Sequence, residues 1–313
     1  MASRSAVVKW LLDSDPAIRW QVMRDLTAEP AERVAAERAR VAIEGWGAEL
    51  LARQRPNGHW GAGPRAWEPT LHTFQLLRQL GLEPASAPAR AAVTRIREQV
   101  TWGPWHGESP FFEGEVEPCI NGATLALGAY FGAPNPRLVD RLLGEQLADG
   151  GWNCEAERGS VRSSFHTTIC VLEGLLEYEK AAGPSSALAQ ARARAHEYLL
   201  ERRLFRRLST GELIEPGWTR FAFPTTWHYD VLRGLDYLRS AGVRDERLAE
   251  PVALVASRSH HNGRWPLAAP HPDPIGLDLG ERRGKASRWN TLRAMRVLDG
   301  YAPERTGAGR DER

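Results

Sequence analysis

Histidine, cysteine and aspartate side chains that could transfer protons or bind a metal recur just before or within the apolar helical segments of this chain. Asp230 is the predicted proton donor or base, and His228, two residues earlier, or His72 could reload that proton. A carboxyl group buried in apolar surroundings is disfavoured as an anion, so it can hold a proton for delivery to an alkene or epoxide. An ion pair with Arg288 is the structural alternative, which would make Asp230 a brace instead of an acid.

A second pattern indicates a metal site. Cys119, Cys154 and His166 come from the start of one helical segment, a loop, and the start of the next helical segment. Two thiolates and an imidazole suit Zn²⁺ with one coordination position left open. Cys170 lies four residues after His166 and could replace either thiol, although a small buried apolar role is the simpler interpretation. These polar groups could also only cap helices and satisfy one another within a core.

Aromatic and amide side chains flank these residues and predict a small-molecule cavity. Aligning six apolar helical segments gives one polar column, in which Asp230 is the only carboxylate: Gln21, Gln75, Thr124, Cys170, Asp230 and Asn290. Ring faces beside such a column can bind an apolar chain and stabilise a carbocation by about 0.5 to 2 kcal/mol per contact. The predicted substrate-binding residues are Gln21, Phe74, Gln75, Asn121, Thr124, Cys170, Trp227, Tyr229, Trp289 and Asn290.

The elements that position these residues follow a repeat. Four copies of one pattern each end a helical segment: Gln54-x3-Gly58-x-Trp60, Gln99-x3-Gly103-x-Trp105, Gln146-x3-Gly150-x-Trp152 and Ser259-x3-Gly263-x-Trp265. A second apolar helix follows each copy, and the first and last helical segments match one another best. The sequence therefore predicts an all-α fold, a closed (α/α)6 barrel of six helix pairs over residues 1–303, followed by a disordered tail at 304–313.

These copies resemble the QW repeats of the squalene–hopene and oxidosqualene cyclases, and the helix-pair plan is similar to that of the protein prenyltransferase β subunits. The resemblance implies a single α/α toroid and a terpene cyclase-like lyase or isomerase acting on an isoprenoid-like molecule. The Asp-x-Asp-Asp motif of those cyclases is missing, because Asp13-Ser14-Asp15 is followed by Pro16. The prenyltransferase resemblance implies zinc ligands at a toroid mouth.

Composition narrows the function classes. The 313 residues carry 41 basic and 39 acidic side chains, with no basic stripe, so nucleic acid is not an expected partner. No secretory signal or membrane span is predicted, and a cytoplasmic location is expected. Three functions follow: cyclisation or isomerisation of an apolar small molecule started by a protein acid, a zinc-dependent transferase or hydrolase, or a non-catalytic binding protein. Zn²⁺ is the one cofactor that the sequence suggests.

Overall fold

Side-chain caps fix where many of the helices begin. Asp15 accepts a hydrogen bond from the backbone N–H of Ala17, and Pro16 opens the helix as predicted. The same carboxylate accepts the backbone N–H of Trp46 and so ties two helices together. Serine side chains cap five further helices, among them Ser164 and Ser287.

The computed structural model describes residues 3–104, 107–271 and 275–302. The predicted tail at 304–313 lies outside these ranges. Thirteen α-helices occur in the described residues: α1 (Arg4–Leu12), α2 (Pro16–Asp25), α3 (Ala31–Ala39), α4 (Gly45–Ala52), α5 (Trp67–Leu80), α6 (Ala87–Gln99), α7 (Pro118–Tyr130), α8 (Pro136–Gly144), α9 (Phe165–Ala182), α10 (Ser186–Glu201), α11 (Val231–Ser240), α12 (Ala249–Ser257) and α13 (Arg288–Gly300).

The predicted all-α class is confirmed. The described ranges contain isolated β-bridges, such as Thr101 with Pro110, and no strand. Six inner helices alternate with outer ones, and α3 is an addition to the six pairs. The inner helices are α2, α5, α7, α9, α11 and α13.

Contacts between successive inner helices close a ring. The Trp20 indole N–H of α2 donates to the Leu80 carbonyl at the end of α5 at 2.8 Å. Further round, Arg233 of α11 binds Glu173 of α9 at 2.8 Å, and Arg296 of α13 reaches back to Gln21 of α2 at 3.0 Å. The last inner helix therefore packs against the first, as the match between the chain's two ends predicts.

Glycine permits the closest of these helix contacts. Gly122 of α7 and Gly174 of α9 face one another, and a Cβ on Gly174 would lie 2.4 Å from the Gly122 carbonyl oxygen. No larger residue fits this approach without moving a backbone. The tight contact brings the N-terminal part of α7 against the middle of α9.

Three of the four repeated tryptophans have the same contacts. Trp60, Trp152 and Trp265 each donate their indole N–H to a carbonyl of the preceding outer helix, at 2.6 to 2.7 Å. Their backbone N–H groups donate to Thr70, Thr168 and Thr291 of the next inner helix. In the Gln99 copy, Trp105 lies outside the described residues, and the nearby Trp102 is buried.

No helix in the part of the chain that the structure describes has the length and apolarity needed to cross a bilayer. Burial instead follows the inner helices, whose apolar side chains fill one continuous core. The large side chains that are fully buried include Trp102, Trp152, Trp289 and Phe74.

Candidate functional site

A cavity of about 350 Å³ lies at the N-terminal ends of α5, α7 and α9. We call it the mouth cavity. Its wall is apolar over one part, where two indole rings meet aliphatic side chains: Trp67, Leu71, Ile120, Ala123 and Trp227. The Trp227 side chain is 47% exposed, so it forms the rim of the cavity towards solvent. The wall can therefore hold an apolar small molecule that enters from solvent.

Glu117, Cys119 and Cys154 form a polar cluster in the same wall. One ligand atom from each residue lies within 4.8 Å of the other two, and no other such group of metal-ligating side chains occurs in the described ranges. Glu117 precedes α7, Cys119 lies in the first turn of α7, and Cys154 opens a short 3₁₀ helix (Cys154–Arg158). We call these three residues the thiol cluster.

The pKa values of the two thiols in the cluster are shifted in opposite directions. A hydrogen bond between Cys119 and Cys154, with burial, raises the pKa of the Cys119 thiol, whereas the same bond lowers the pKa of Cys154. Thr167 contributes by approaching the Cys154 sulfur at 3.4 Å. Of the two, Cys154 therefore forms the thiolate, which is the metal-binding and nucleophilic form, more readily than Cys119.

His166 lines the mouth cavity but does not belong to the thiol cluster. Its Nδ1 accepts the backbone N–H of Tyr229 at 2.8 Å, so the neutral ring carries its proton on Nε2. Neither ring nitrogen then offers a free lone pair to a metal. Burial, followed by the charge of Arg233, lowers the pKa of His166 to about 4, which keeps the ring neutral near pH 7.

Of the predicted ligands Cys119, Cys154 and His166, the structure brings the two cysteines together with Glu117 and places His166 outside that group. The sequence holds a signal for this, because Glu117 lies two residues before Cys119, across a proline that opens the helix. Glu117 was not among the predicted ligands, because only cysteine and histidine residues were considered there. Two thiols and a carboxylate are still a donor set that suits Zn²⁺.

The predicted proton-transfer residues separate in the structure. Asp230 is the N-cap of α11, and its two oxygens accept the backbone N–H groups of Arg233 at 2.7 Å and Ala222 at 3.0 Å. Only 4% of Asp230 is exposed, and it does not line the mouth cavity. Arg288, its predicted ion-pair partner, instead donates to the carbonyl of Asp13.

His72 and His228, the two histidines predicted to transfer protons, lie in different parts of the structure. His72 lines the mouth cavity and is buried. His228 does not line it; its ring stacks on His271 with 3.5 Å between ring centres, and its Nδ1 lies 3.0 Å from Thr226 Oγ1. Burial, with the nearby charges of His271 and His166, lowers the pKa of His228 to about 4.

The predicted substrate-binding residues fall into three groups. Gln75, Cys170 and Trp227 line the mouth cavity. Gln21 and Trp289 line a second cavity of about 390 Å³ on the axis of the ring, which we call the central cavity. The others line neither cavity and are buried in helix packing, namely Phe74, Asn121, Thr124, Tyr229 and Asn290.

The polar column itself is out of register. The tryptophan-to-threonine hydrogen bonds make Thr70, Thr168 and Thr291 equivalent. Counting two residues on from each gives His72, Cys170 and Arg293, whereas the sequence alignment placed Gln75 and Asn290 beside Cys170. Both errors are slips of three residues, which keep a side chain on nearly the same helix face. Hydrophobic periodicity cannot detect such a slip.

Comparisons with known proteins add little beyond the fold. No family model matches the chain, and no curated protein does. Among solved structures, the chain is similar to the type II terpene cyclase MstE from Scytonema, in its apo form. The two chains are 18% identical with a TM-score of 0.45, over 95% of this chain and 94% of the cyclase.

Proposed function

We propose that this protein is an enzyme that binds an apolar small molecule in the mouth cavity and acts on it with a metal held by the thiol cluster. The reaction class is that of a zinc-dependent transferase or hydrolase. The observation that carries the proposal is the position of Glu117, Cys119 and Cys154 within 4.8 Å of one another in the wall of an otherwise largely apolar cavity.

The donor set fits Zn²⁺ on chemical grounds. Thiolates and a carboxylate bind zinc at about 2.0 to 2.3 Å, and three protein ligands leave a fourth position for water or substrate. Cys119 lies in the first turn of α7, where the helix dipole favours negative charge. A metal there would supply Lewis acidity or an activated thiol or water.

The neighbouring side chains would position the substrate. The rings of Trp67 and Trp227 and the side chain of Leu71 offer an apolar surface beside the cluster. The buried Oε1 of Gln75 has no hydrogen-bond partner, so this side chain can bind a polar group of a ligand that enters the cavity. The cavity then selects a molecule that is apolar over most of its length and polar at one end.

Metal analysis of the purified full-length chain tests the proposal. We expect about one Zn²⁺ per chain, and we expect Cys154→Ser and Glu117→Gln each to lower the bound zinc at least tenfold. Cys170→Ser is the matched control, because Cys170 lines the same cavity but lies outside the cluster. His166→Gln should also keep the metal. Zinc content unchanged in both cluster variants would overturn the proposal.

Cyclisation or isomerisation started by a protein acid is a second candidate. The two indole rings in the cavity wall favour it, because ring faces can stabilise a carbocation. Asp230, His228 and His72 are the proposed proton-transfer residues. Loss of turnover in folded Asp230→Asn protein that still binds an uncharged isoprenoid alcohol, such as farnesol, would support this candidate. Binding of farnesol without turnover of any offered substrate would favour a non-catalytic binding protein.

A further inference from the structure

The central cavity is charged, and the proposed function does not use it. All six inner helices contribute to its wall, and its volume is about 390 Å³. Eight basic side chains line it: Arg24, Arg38, Arg78, Lys180, Arg233, Arg239, Arg293 and Arg296. Three acidic side chains line it: Glu173, Glu177 and Asp236.

On one side of the central cavity, a single carboxylate forms ion pairs with three arginines. Asp236 lies 2.5 Å from Arg296, 3.0 Å from Arg239 and 3.9 Å from Arg293. Its carboxylate is strongly favoured as an anion, since the adjacent arginines hold the pKa at about 2 against the effect of burial. The arginines on this side therefore outnumber the acidic groups that the cavity wall provides.

Acidic residues that do not line the central cavity reduce its excess of positive charge without removing it. Asp25 pairs with Arg24 and Arg296, and Glu83 pairs with Arg38. Asp230 acts electrostatically on Arg233 and Arg293. Eight cations thus face six carboxylates, an excess of two positive charges.

The burial of Arg293 makes this excess of positive charge destabilising. It is only 6% exposed, and its Nη1 donates to the Ala222 carbonyl at 3.0 Å. Burial lowers the pKa of Arg293, whose one ion pair within 4 Å in the described ranges is the long contact with Asp236. A buried cation that makes no short ion pair is destabilising, so an anion in the cavity would stabilise this arrangement.

Hydrogen-bond donors in the wall also lack acceptors. The indole Nε1 of Trp289 and the Nε of Arg78 are buried and have no hydrogen-bond partner. Trp289 is 2% exposed and is held by stacking on Phe223 at 4.3 Å between ring centres. Gln79 can turn its amide to offer either an oxygen or an NH₂ group. The oxygens of an anion would satisfy such donors.

We propose that the central cavity binds a small dianion, a phosphate ester or a dicarboxylate, as a ligand separate from the apolar molecule at the mouth. The charge matches the excess of two cations. Guanidinium groups bind phosphate and carboxylate through paired N–H···O bonds, and arginine is the main cation of this wall.

Binding to the purified full-length chain tests this inference. Inorganic phosphate and succinate are titrated by calorimetry at pH 7.5, at constant ionic strength set with chloride. We expect saturable binding of one molecule per chain by at least one of the two. Phosphate alone indicates a phosphate ester, and succinate alone indicates a dicarboxylate. Binding of neither, or equal binding of the monoanion formate, would overturn the proposal.

Arg239→Gln locates the site. Asp236 keeps Arg296 in this variant, so no buried carboxylate is left unpaired. We expect at least a tenfold weaker Kd than for the wild type. Arg247→Gln is the matched control: Arg247 is 32% exposed against 26% for Arg239, also pairs with an aspartate, and lies outside the cavity. Equal weakening in both variants, or in neither, would overturn the assignment. Arg24→Gln repeats the test should Arg239→Gln not fold.

Discussion

The mouth cavity and the central cavity lie along the same helices yet have opposite chemistry. In α9, His166 and Cys170 line the mouth cavity, and Glu173 and Glu177 line the central one. In α5 the change comes between Gln75 and Arg78. Less than one helical turn therefore separates an apolar wall with thiols from a wall of ion pairs, and one inner helix can serve two unrelated binding sites.

Arg233 forms part of the partition between the two cavities. Its Nη2 lies 3.6 Å from the Cys170 sulfur on the mouth side, and its Nε and Nη2 bind Glu173 on the central side. Arg233 is 4% exposed, and Nη1 also donates to the carbonyls of Thr226 and His228. Because each guanidinium nitrogen of Arg233 has a hydrogen-bond acceptor and its charge is paired with Glu173, the side chain separates the two environments without leaving a charge unpaired.

The largest expected difference between the cavities is in stability, and it is measured by replacing one carboxylate in the wall of each. Glu173→Gln removes the carboxylate that pairs with buried Arg233, and we expect a loss of about 3 kcal/mol in the free energy of unfolding. Glu117→Gln alters a partly exposed side chain at the mouth, where a loss below about 1 kcal/mol is expected. Urea denaturation of both variants with zinc removed by a chelator measures the difference.

Equal losses in Glu173→Gln and Glu117→Gln would contradict the contrast between a structural charged wall and a reactive mouth. Glu179→Gln controls for the loss of a carboxylate from α9. Glu179 pairs with Arg192 towards the outer helix α10, away from both cavities.

The next largest effect concerns Asp230, which the sequence analysis assigned as an acid. Asparagine would place an NH₂ group opposite one of two backbone N–H donors, those of Arg233 and Ala222. We expect Asp230→Asn to lower the free energy of unfolding by about 1 to 3 kcal/mol, because one buried donor loses its acceptor. Chemical denaturation measures this loss. Unchanged stability with abolished turnover would contradict this expectation and support the proposed role of Asp230 in proton transfer.

The fold could be predicted from the sequence because its determinants are periodic. Copies such as Gln54-x3-Gly58-x-Trp60 recur, and Gly58 has the positive φ that such a turn needs. The thiols at the mouth were also predictable, since Cys119 lies in the first turn of an inner helix. Residue type and repeat position were sufficient for both.

The central cavity could not be predicted in the same way. Arg78, Arg233 and Arg293 lie on three inner helices, and each forms an ion pair with a carboxylate of another inner helix. The sequence does not show how many carboxylates lie within reach of each arginine. That count depends on side chains from more than one helix, as for Asp236 and Arg239 of α11 with Arg293 and Arg296 of α13.

The smallest expected effect is a pH dependence of stability that comes from a neutral histidine at the mouth cavity. His166 titrates at about 6.5 in an unfolded chain, and burial and Arg233 lower its pKa to about 4 in the folded protein. The folded state binds fewer protons than the unfolded state between these values. The stability contributed by the neutral ring is thus present above pH 6.5 and is lost as the pH falls towards 4.

His166→Gln tests this contribution, since the glutamine Oε1 can still accept the backbone N–H of Tyr229 but cannot titrate. Between pH 7.5 and pH 5.5 we expect the variant to lose about 1 kcal/mol less unfolding free energy than the wild type. Urea denaturation at the two pH values measures this difference. His228 has a similarly lowered pKa and should make a similar, separate contribution. An identical loss in wild type and variant would mean that His166 is protonated without cost, and that the mouth tolerates a positive charge as the central cavity does.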